Sequence, residues 1–291
     1  MLTFADAQIQ KIIDIDPFIL PFGLIMPDHN LSELADKSDI LAPDHVDFAN
    51  QTLLLGVHSF LVRINDKNIV IDSCVGEDKP RPRRADWHER KNSGYLARLA
   101  SAGLRAEDID YVMCTHLHAD HVGWNTRLEN GRWVPTFPNA RYLVGTKELA
   151  HWQANETANP GQANHGCFED SVQPLLEADQ VETVDEGFAL LPGLEITSLS
   201  GHSPGQIGLK FQSKTKGSAH FCGDAFHSPL QVFRPDWSSA FCHDKDQAAA
   251  LRHRLRQEAA EENTLLLPAH LRGCLGMRVK QSADDFWPEF V

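Results

Sequence analysis

Ile109-Asp110-Tyr111-Val112-Met113-Cys114-Thr115-His116-Leu117-His118-Ala119-Asp120-His121 is the stretch whose reading decides the fold. Its first half is an apolar run of the length of a buried strand. Its last six residues hold four metal-ligand side chains, His116, His118, Asp120 and His121. Core packing does not account for such a cluster. Imidazole and carboxylate are costly to bury unless something pairs with them, and a divalent cation pairs with all four. At about 5% per residue type, chance matches four fixed positions in a chain this long on the order of a few times in a thousand. A polar loop that happens to be rich in histidine is the weaker reading. A buried strand ending in a metal-binding loop is expected.

Upstream, residues 53–64 are rich in β-formers, residues 65–68 read as a turn and residues 68–72 as a second strand, so a hairpin is predicted. Lys79-Pro80-Arg81-Pro82-Arg83-Arg84 reads as a basic, proline-broken loop, solvated rather than anion-binding. Residues 95–102 read as a helix stopped by Gly103. Downstream, strands are predicted at 141–144, 194–199, 207–211, 218–222 and 264–267, with a helix at 147–154. Residues 246–262 predict a long amphipathic helix with Leu251, Leu255 and Ala259 on one face. Two runs of mixed strands, each with helices, predict an α/β (α+β) fold of two mixed sheets packed together and flanked by helices. Residues 51–291 are expected to form one catalytic domain, because no composition break marks a linker. Residues 1–50 read as an N-terminal extension packed on that domain, with Leu31–Lys37 as its helical candidate.

The net charge of −13 argues against a nucleic-acid partner, since phosphate binding needs a basic face. The six cysteines form no Cys-x-x-Cys pair, and Cys74, Cys114 and Cys222 lie in or beside apolar runs. Buried free thiols in a reducing compartment are expected. No secretion signal stands at the N-terminus, and the apolar residues 18–26 are too short for a membrane span and are broken by Pro21 and Gly23. A cytoplasmic protein without a membrane partner is expected. The N-terminal 50 residues are a candidate dimer arm.

The first cluster has company. Gly201-His202-Ser203-Pro204-Gly205, Gly223-Asp224 and Pro268-Ala269-His270 each put a ligand-type residue just past a predicted strand, where sheet folds collect active-site groups. Each alone reads as an ordinary hydrogen-bonded loop residue; with the first cluster they complete a ligand set. In this order the four motifs resemble the metallo-β-lactamase superfamily over about residues 52–275. The resemblance implies an αββα sandwich. It also implies that His116, His118 and His202 hold one metal, that Asp120, His121 and His270 hold a second, and that Asp224 bridges both. Asp72 matches a buried aspartate that braces the ligand loop in that family.

Within the superfamily, the segment from Gly223 through Val232 and Arg234-Pro235-Asp236-Trp237 most resembles the branch of N-acyl homoserine lactone lactonases and methyl parathion hydrolase-like enzymes. One departure is His227, which stands where the lactonases carry a tyrosine that touches the substrate carbonyl. Donation to that oxygen or to the leaving group, and support from behind the ligands, are both open for His227. Gln206 stands where related turns continue with histidine, which puts no ligand in doubt.

Two divalent ions about 3.5–4 Å apart share a water whose pKa falls towards about 7, giving a nucleophile at neutral pH. Asp120 has a second oxygen that can steer this bridging hydroxide and carry its proton to the leaving group. The expected activity is a dinuclear-metal hydrolase acting on a lactone or related carboxylic ester, with Asp120 and His227 as candidate catalytic residues. Zinc is the default ion, and manganese, iron and cobalt also suit the donors. The rivals are a phosphotriesterase-like hydrolase, an iron-dependent oxidoreductase of the same fold, and a metal-stabilised binding protein. Trp87, Trp124, Phe226, Phe233 and Trp237 are candidates for an apolar substrate pocket or, equally, for the core.

Overall fold

In the computed structural model, which describes residues 1–213, 217–283 and 285–291, the chain divides into two units: residues 1–15 with 57–185, and residues 16–56 with 186–291.

A mixed sheet carries the first unit. Its strands are β1 (Leu2–Phe4), β2 (Ala7–Pro21), β3 (Val46–Asp47), β4 (Thr52–Ile64), β5 (Lys67–Ile71) and β6 (Tyr111–Cys114). After a separate hairpin, β7 (Thr126–Glu129) and β8 (Arg132–Pro135), come β9 (Arg141–Gly145) and β10 (Val181–Val184). The sheet order is β1-β2-β4-β5-β6-β9-β10, with β3 on β4. β2 and β4 continue into the second unit, where the β3–β4 pairing falls. The expected hairpin is β4–β5, closed at Ile64↔Lys67. Its two loop residues, Asn65 and Asp66, have φ of 49° and 58°, the left-handed conformation a two-residue turn demands and Asn and Asp tolerate.

From β5 onward the neighbours β5–β6, β6–β9 and β9–β10 are all parallel. Parallel neighbours need crossovers. The helix Tyr95–Ser101 supplies one and Thr146–Ala158 another. The carboxyl ends of β5 and β6 therefore share one edge, and Asp72 meets the loop after Cys114 there.

In the second unit the sheet order is sequential: β11 (Ala189–Leu191), β12 (Leu194–Ser198), β13 (Ile207–Ser213), β14 (Gly217–Gly223), β15 (Leu265–Pro268), β16 (Met277–Ser282) and β17 (Asp285–Phe290). β12–β13 and β13–β14 are antiparallel and β14–β15 parallel, so β12, β14 and β15 run the same way. Their carboxyl ends lie together, which is why His202, Asp224 and His270 converge. The β14–β15 crossover is the helix Lys245–Glu262, capped where the Asp244 carboxylate accepts from the Gln247 N–H at 2.8 Å. Its buried face, Leu251, Leu255 and Ala259, packs with Cys222, Phe226, Leu266 and Met277. Each of the larger side chains contributes about 1.5–3 kcal/mol by leaving water.

His220 in β14 is buried, with its Nε2 2.8 Å from Thr197 Oγ1. Burial, with Lys210 and Arg254 as lesser causes, pushes its pKa down to about 3. The unfolded chain takes up that proton near pH 6.5 and the folded chain near 3. Stability present above pH 6.5 is therefore lost as pH falls towards 3. In urea titrations between pH 7 and 4, a His220→Gln variant is expected to lose several-fold less of its folding equilibrium constant than the native chain; parallel losses would contradict this.

Two expectations change. The first 50 residues do more than extend: the 15-residue β2 joins the first sheet, and Leu31–Lys37 forms as a 3-10 helix capped by the Asn30 side chain. The basic loop is not solvated as a whole. Lys79 and Arg81 are buried, and the Asp170 carboxylate accepts from the two terminal guanidinium nitrogens of Arg81 at 2.5 and 2.8 Å and lies 3.6 Å from Lys79 Nζ. Of the pocket-or-core aromatics, Trp87, Trp124, Phe226 and Trp237 are buried, and Trp124 stacks on buried Tyr95 at 5.2 Å.

All six cysteines are free thiols, and burial pushes Cys114 and Cys222 up to about 12, which keeps them protonated and inert. Among the described residues, no helix is long and apolar enough to cross a membrane.

Candidate metal centre

In the first unit the ligand loop is built on Asp72. The left-handed backbone of Asp72 (φ 56°) ends β5, and its buried carboxylate accepts from Thr115 N at 2.7 Å and Thr115 Oγ1 at 2.9 Å. The same carboxylate faces His121 Nδ1 at 2.9 Å. A carboxylate accepts only, so Nδ1 carries the hydrogen and Nε2 keeps its lone pair for a metal. Thr115 Oγ1, already donating to Asp72, accepts from His116 Nδ1 at 3.1 Å, which frees His116 Nε2 in the same way. That atom sits 2.9 Å from His118 Nδ1, and the rings of His116 and His121 lie 4.0 Å apart. Asp120 Oδ1 is 3.8 Å from His121 Nε2. The four residues singled out in the sequence are thus together.

Gly123 locks this loop against the end of β5. Its N–H donates to Cys74 O at 2.7 Å, and a Cβ there would fall 1.9 Å from Val75 O, so no other residue fits. Glu148 was missed in the sequence: it is buried in the Thr146–Ala158 helix, and its Oε1 accepts from Leu117 N at 3.0 Å and Trp152 Nε1 at 2.7 Å. A helical acid on an otherwise polar stretch carried no signal of this role.

In the second unit Asp224 is the centre. Its Oδ2 lies 3.3 Å from His202 Nε2 and 3.4 Å from His227 Nε2, and its Oδ1 lies 3.2 Å from His270 Nε2; all four residues are buried. His270 Nδ1 donates to Gly56 O at 2.9 Å, again leaving the Nε2 lone pair available to a metal. His202 Nδ1 lies 3.6 Å from Cys242 Sγ, a partner that the sequence did not reveal. Gly201 lets the turn approach the long helix: with φ 143°, a Cβ would lie 2.7 Å from the Ala248 backbone. Gln206 is buried at the end of that turn, and its carbonyl accepts from Leu199 N at 2.8 Å.

These donor sets fit divalent metal. Two atoms bound to one ion at about 2.1 Å in tetrahedral geometry are about 3.4 Å apart, close to the separations around Asp224. His202, Asp224 and His227 place one ligand atom each within 4.8 Å of one another. Buried imidazoles with their second nitrogen fixed by an oxygen partner are the usual setting of metal-binding histidine.

Fold and donor set together define a metal-dependent hydrolase. The chain belongs to the metallo-beta-lactamase superfamily, whose profile matches residues 53–270. It is similar to the N-acyl homoserine lactonase AiiB of Agrobacterium fabrum, 22% identical over 288 residues that cover 93% of this chain and 98% of that protein. Among solved structures it resembles AidC, a dizinc quorum-quenching lactonase in complex with a product, with TM-score 0.79, 20% identity and coverage of 100% and 96%. The hydrolase AbOPH of the beta lactamase superfamily gives TM-score 0.81 at 20% identity, with the same coverage. At these identities the structures establish the fold.

Proposed function

We propose that this protein is a dinuclear-metal hydrolase that opens a lactone or cleaves a related carboxylic ester. The observation that carries the reading is the buried Asp224 carboxylate faced by three imidazole nitrogens at 3.2–3.4 Å. In our assignment His116, His118 and His202 hold one ion, Asp120, His121 and His270 hold the other, and Asp224 serves both. Zinc is the default for such donors, and manganese, iron and cobalt remain alternatives for metal analysis to separate. When bound, the ions supply Lewis acidity and lower the pKa of water to near neutrality.

The chain's own residues do the rest. Asp72, Thr115 and the Gly56 carbonyl hold the hydrogens on the outer nitrogens of His121, His116 and His270, so the inner nitrogens stay unprotonated. Asp120 takes the proton of the attacking water on its second carboxylate oxygen and passes it to the departing alkoxide. His227 donates from its ring to the oxygen that gains charge in the transition state. The superfamily relatives named as lactonases support the substrate class, and free thiols support a reducing, cytoplasmic setting.

The test joins elemental analysis to a substrate panel: a long-chain acyl homoserine lactone, a simple γ-lactone, an aryl ester and a phosphotriester. About two metals per chain with the lactones turned over fastest is the expected result. Phosphotriester turnover without ester turnover would replace the reading with the phosphotriesterase-like one. Oxygen consumption with iron would replace it with the oxidoreductase. His227→Gln is expected to lower kcat by about ten- to a hundredfold with metal content unchanged; loss of metal instead would make His227 a ligand.

A further inference from the structure

The segment after the Thr146–Ala158 helix contains a run of left-handed residues, Asn164 (φ 46°), His165 (φ 58°) and Gly166 (φ 74°). Two consecutive non-glycine residues in this region are strained and persist only where something holds them. At Asn164 the side chain makes the holding contacts. Its Nδ2 donates to Leu117 O at 2.5 Å, and its Oδ1 accepts from Ala119 N at 3.1 Å. Those are the carbonyl and the amide on either side of His118. The side-chain amide thus pairs with the ligand loop as a neighbouring strand would, bracketing one imidazole. Cys167 Sγ, 3.5 Å from the same Leu117 carbonyl, and Glu148, which accepts from Leu117 N at 3.0 Å, complete the grip.

We propose that Asn164 is a positioning residue for metal binding: its amide fixes the peptides flanking His118 so that His118 Nδ1 is held at His116 Nε2. The inference rests on the metal-centre reading above. An amide is the group the task requires, because one end must donate and the other accept. Aspartate keeps the acceptor for Ala119 N and loses the donor to Leu117 O. Glycine keeps the left-handed backbone at no steric cost and loses both.

Glycine therefore separates a turn-forming role from a positioning role. The experiment compares the native chain, Asn164→Gly and Asn164→Asp by zinc titration against a chromophoric chelator and by urea denaturation. In the metal-free proteins, hydrogen exchange at the Ala119 amide is also measured. The expected result is zinc affinity about 10- to 100-fold weaker in both variants, as for loss of an outer partner of a metal ligand. Ala119 exchange should be faster in Asn164→Gly, protected in Asn164→Asp, and the urea midpoint of Asn164→Gly close to native. Native-like zinc affinity in Asn164→Gly overturns the proposal and leaves Asn164 a turn residue. A native chain that binds no zinc or other divalent ion overturns the metal-centre reading itself, which the same titration reports first.

Discussion

Asp224→Ala is expected to abolish hydrolysis, with kcat/KM on the best ester falling by about a thousandfold or more. Metal content should fall from about two per chain to one or none. The carboxylate is the anion among His202, His227 and His270, each with a ring nitrogen 3.2–3.4 Å from one of its oxygens. Alanine leaves three buried imidazoles facing a cavity with no charge to offset a cation. Folding should survive, since the apolar cluster of Cys222, Phe226 and Leu266 does not include Asp224. Elemental analysis and steady-state kinetics on one preparation check both halves. Retention of two metals with full turnover would remove Asp224 from the centre.

The second large effect falls away from the chemistry. Asp170→Ala is expected to destabilise the chain by about 3–5 kcal/mol, because it leaves buried cations without their carboxylate. The melting temperature should drop by roughly 6–20 °C. Arg81 is paired with Asp170 at 2.5 and 2.8 Å, and Lys79 Nζ donates to Thr126 Oγ1 at 2.6 Å and to Asp170 O at 3.2 Å. Burial pulls Lys79 down to about 7 against the opposing pull of Asp170. The native chain should therefore gain stability from pH 7 towards 10.5, where the unfolded lysine still holds its proton and the folded one does not. Removing Asp170 takes away the charge that raises the Lys79 pKa, so protonation in the folded variant is delayed to lower pH. The deficit of the variant should deepen as pH falls below about 7, while the part due to Arg81 persists throughout. Denaturation at pH 6 and 8 checks this; equal deficits would assign the effect to Arg81 alone.

The contrast between these two sites explains what was legible. Asp224, His202 and His270 stand out because each follows a short apolar run, and runs of that kind give away strands. His116 to His121 stand out because four ligand types fall within six residues. Asp170 does not stand out, being one acidic residue 89 positions from Arg81. The β2 strand was missed because its buried alternation slips at Gln10 and Lys11 and then includes Asp14, a charge that reads as solvent-facing. Arg90, which pairs with Asp14 at 2.9 Å, lies 76 residues on. The β7–β8 hairpin does carry a local signal: Asn130-Gly131, both at positive φ, is the strongest short hairpin dipeptide.

The sequence by itself determined the clusters of ligand-type residues, the strands they follow and the superfamily, because those depend on residue type, spacing and local periodicity. Only the tertiary structure decided which nitrogen of His116, His121 and His270 is left for metal, since the oxygens that fix each ring belong to Thr115, Asp72 and Gly56. It also decided that a proline-broken basic loop is held inside by Asp170, and that Asn164 grips both sides of His118. Hydrogen bonds and ion pairs between residues far apart in the chain leave no periodicity behind, and single polar residues look alike until the fold brings their partners within hydrogen-bond reach.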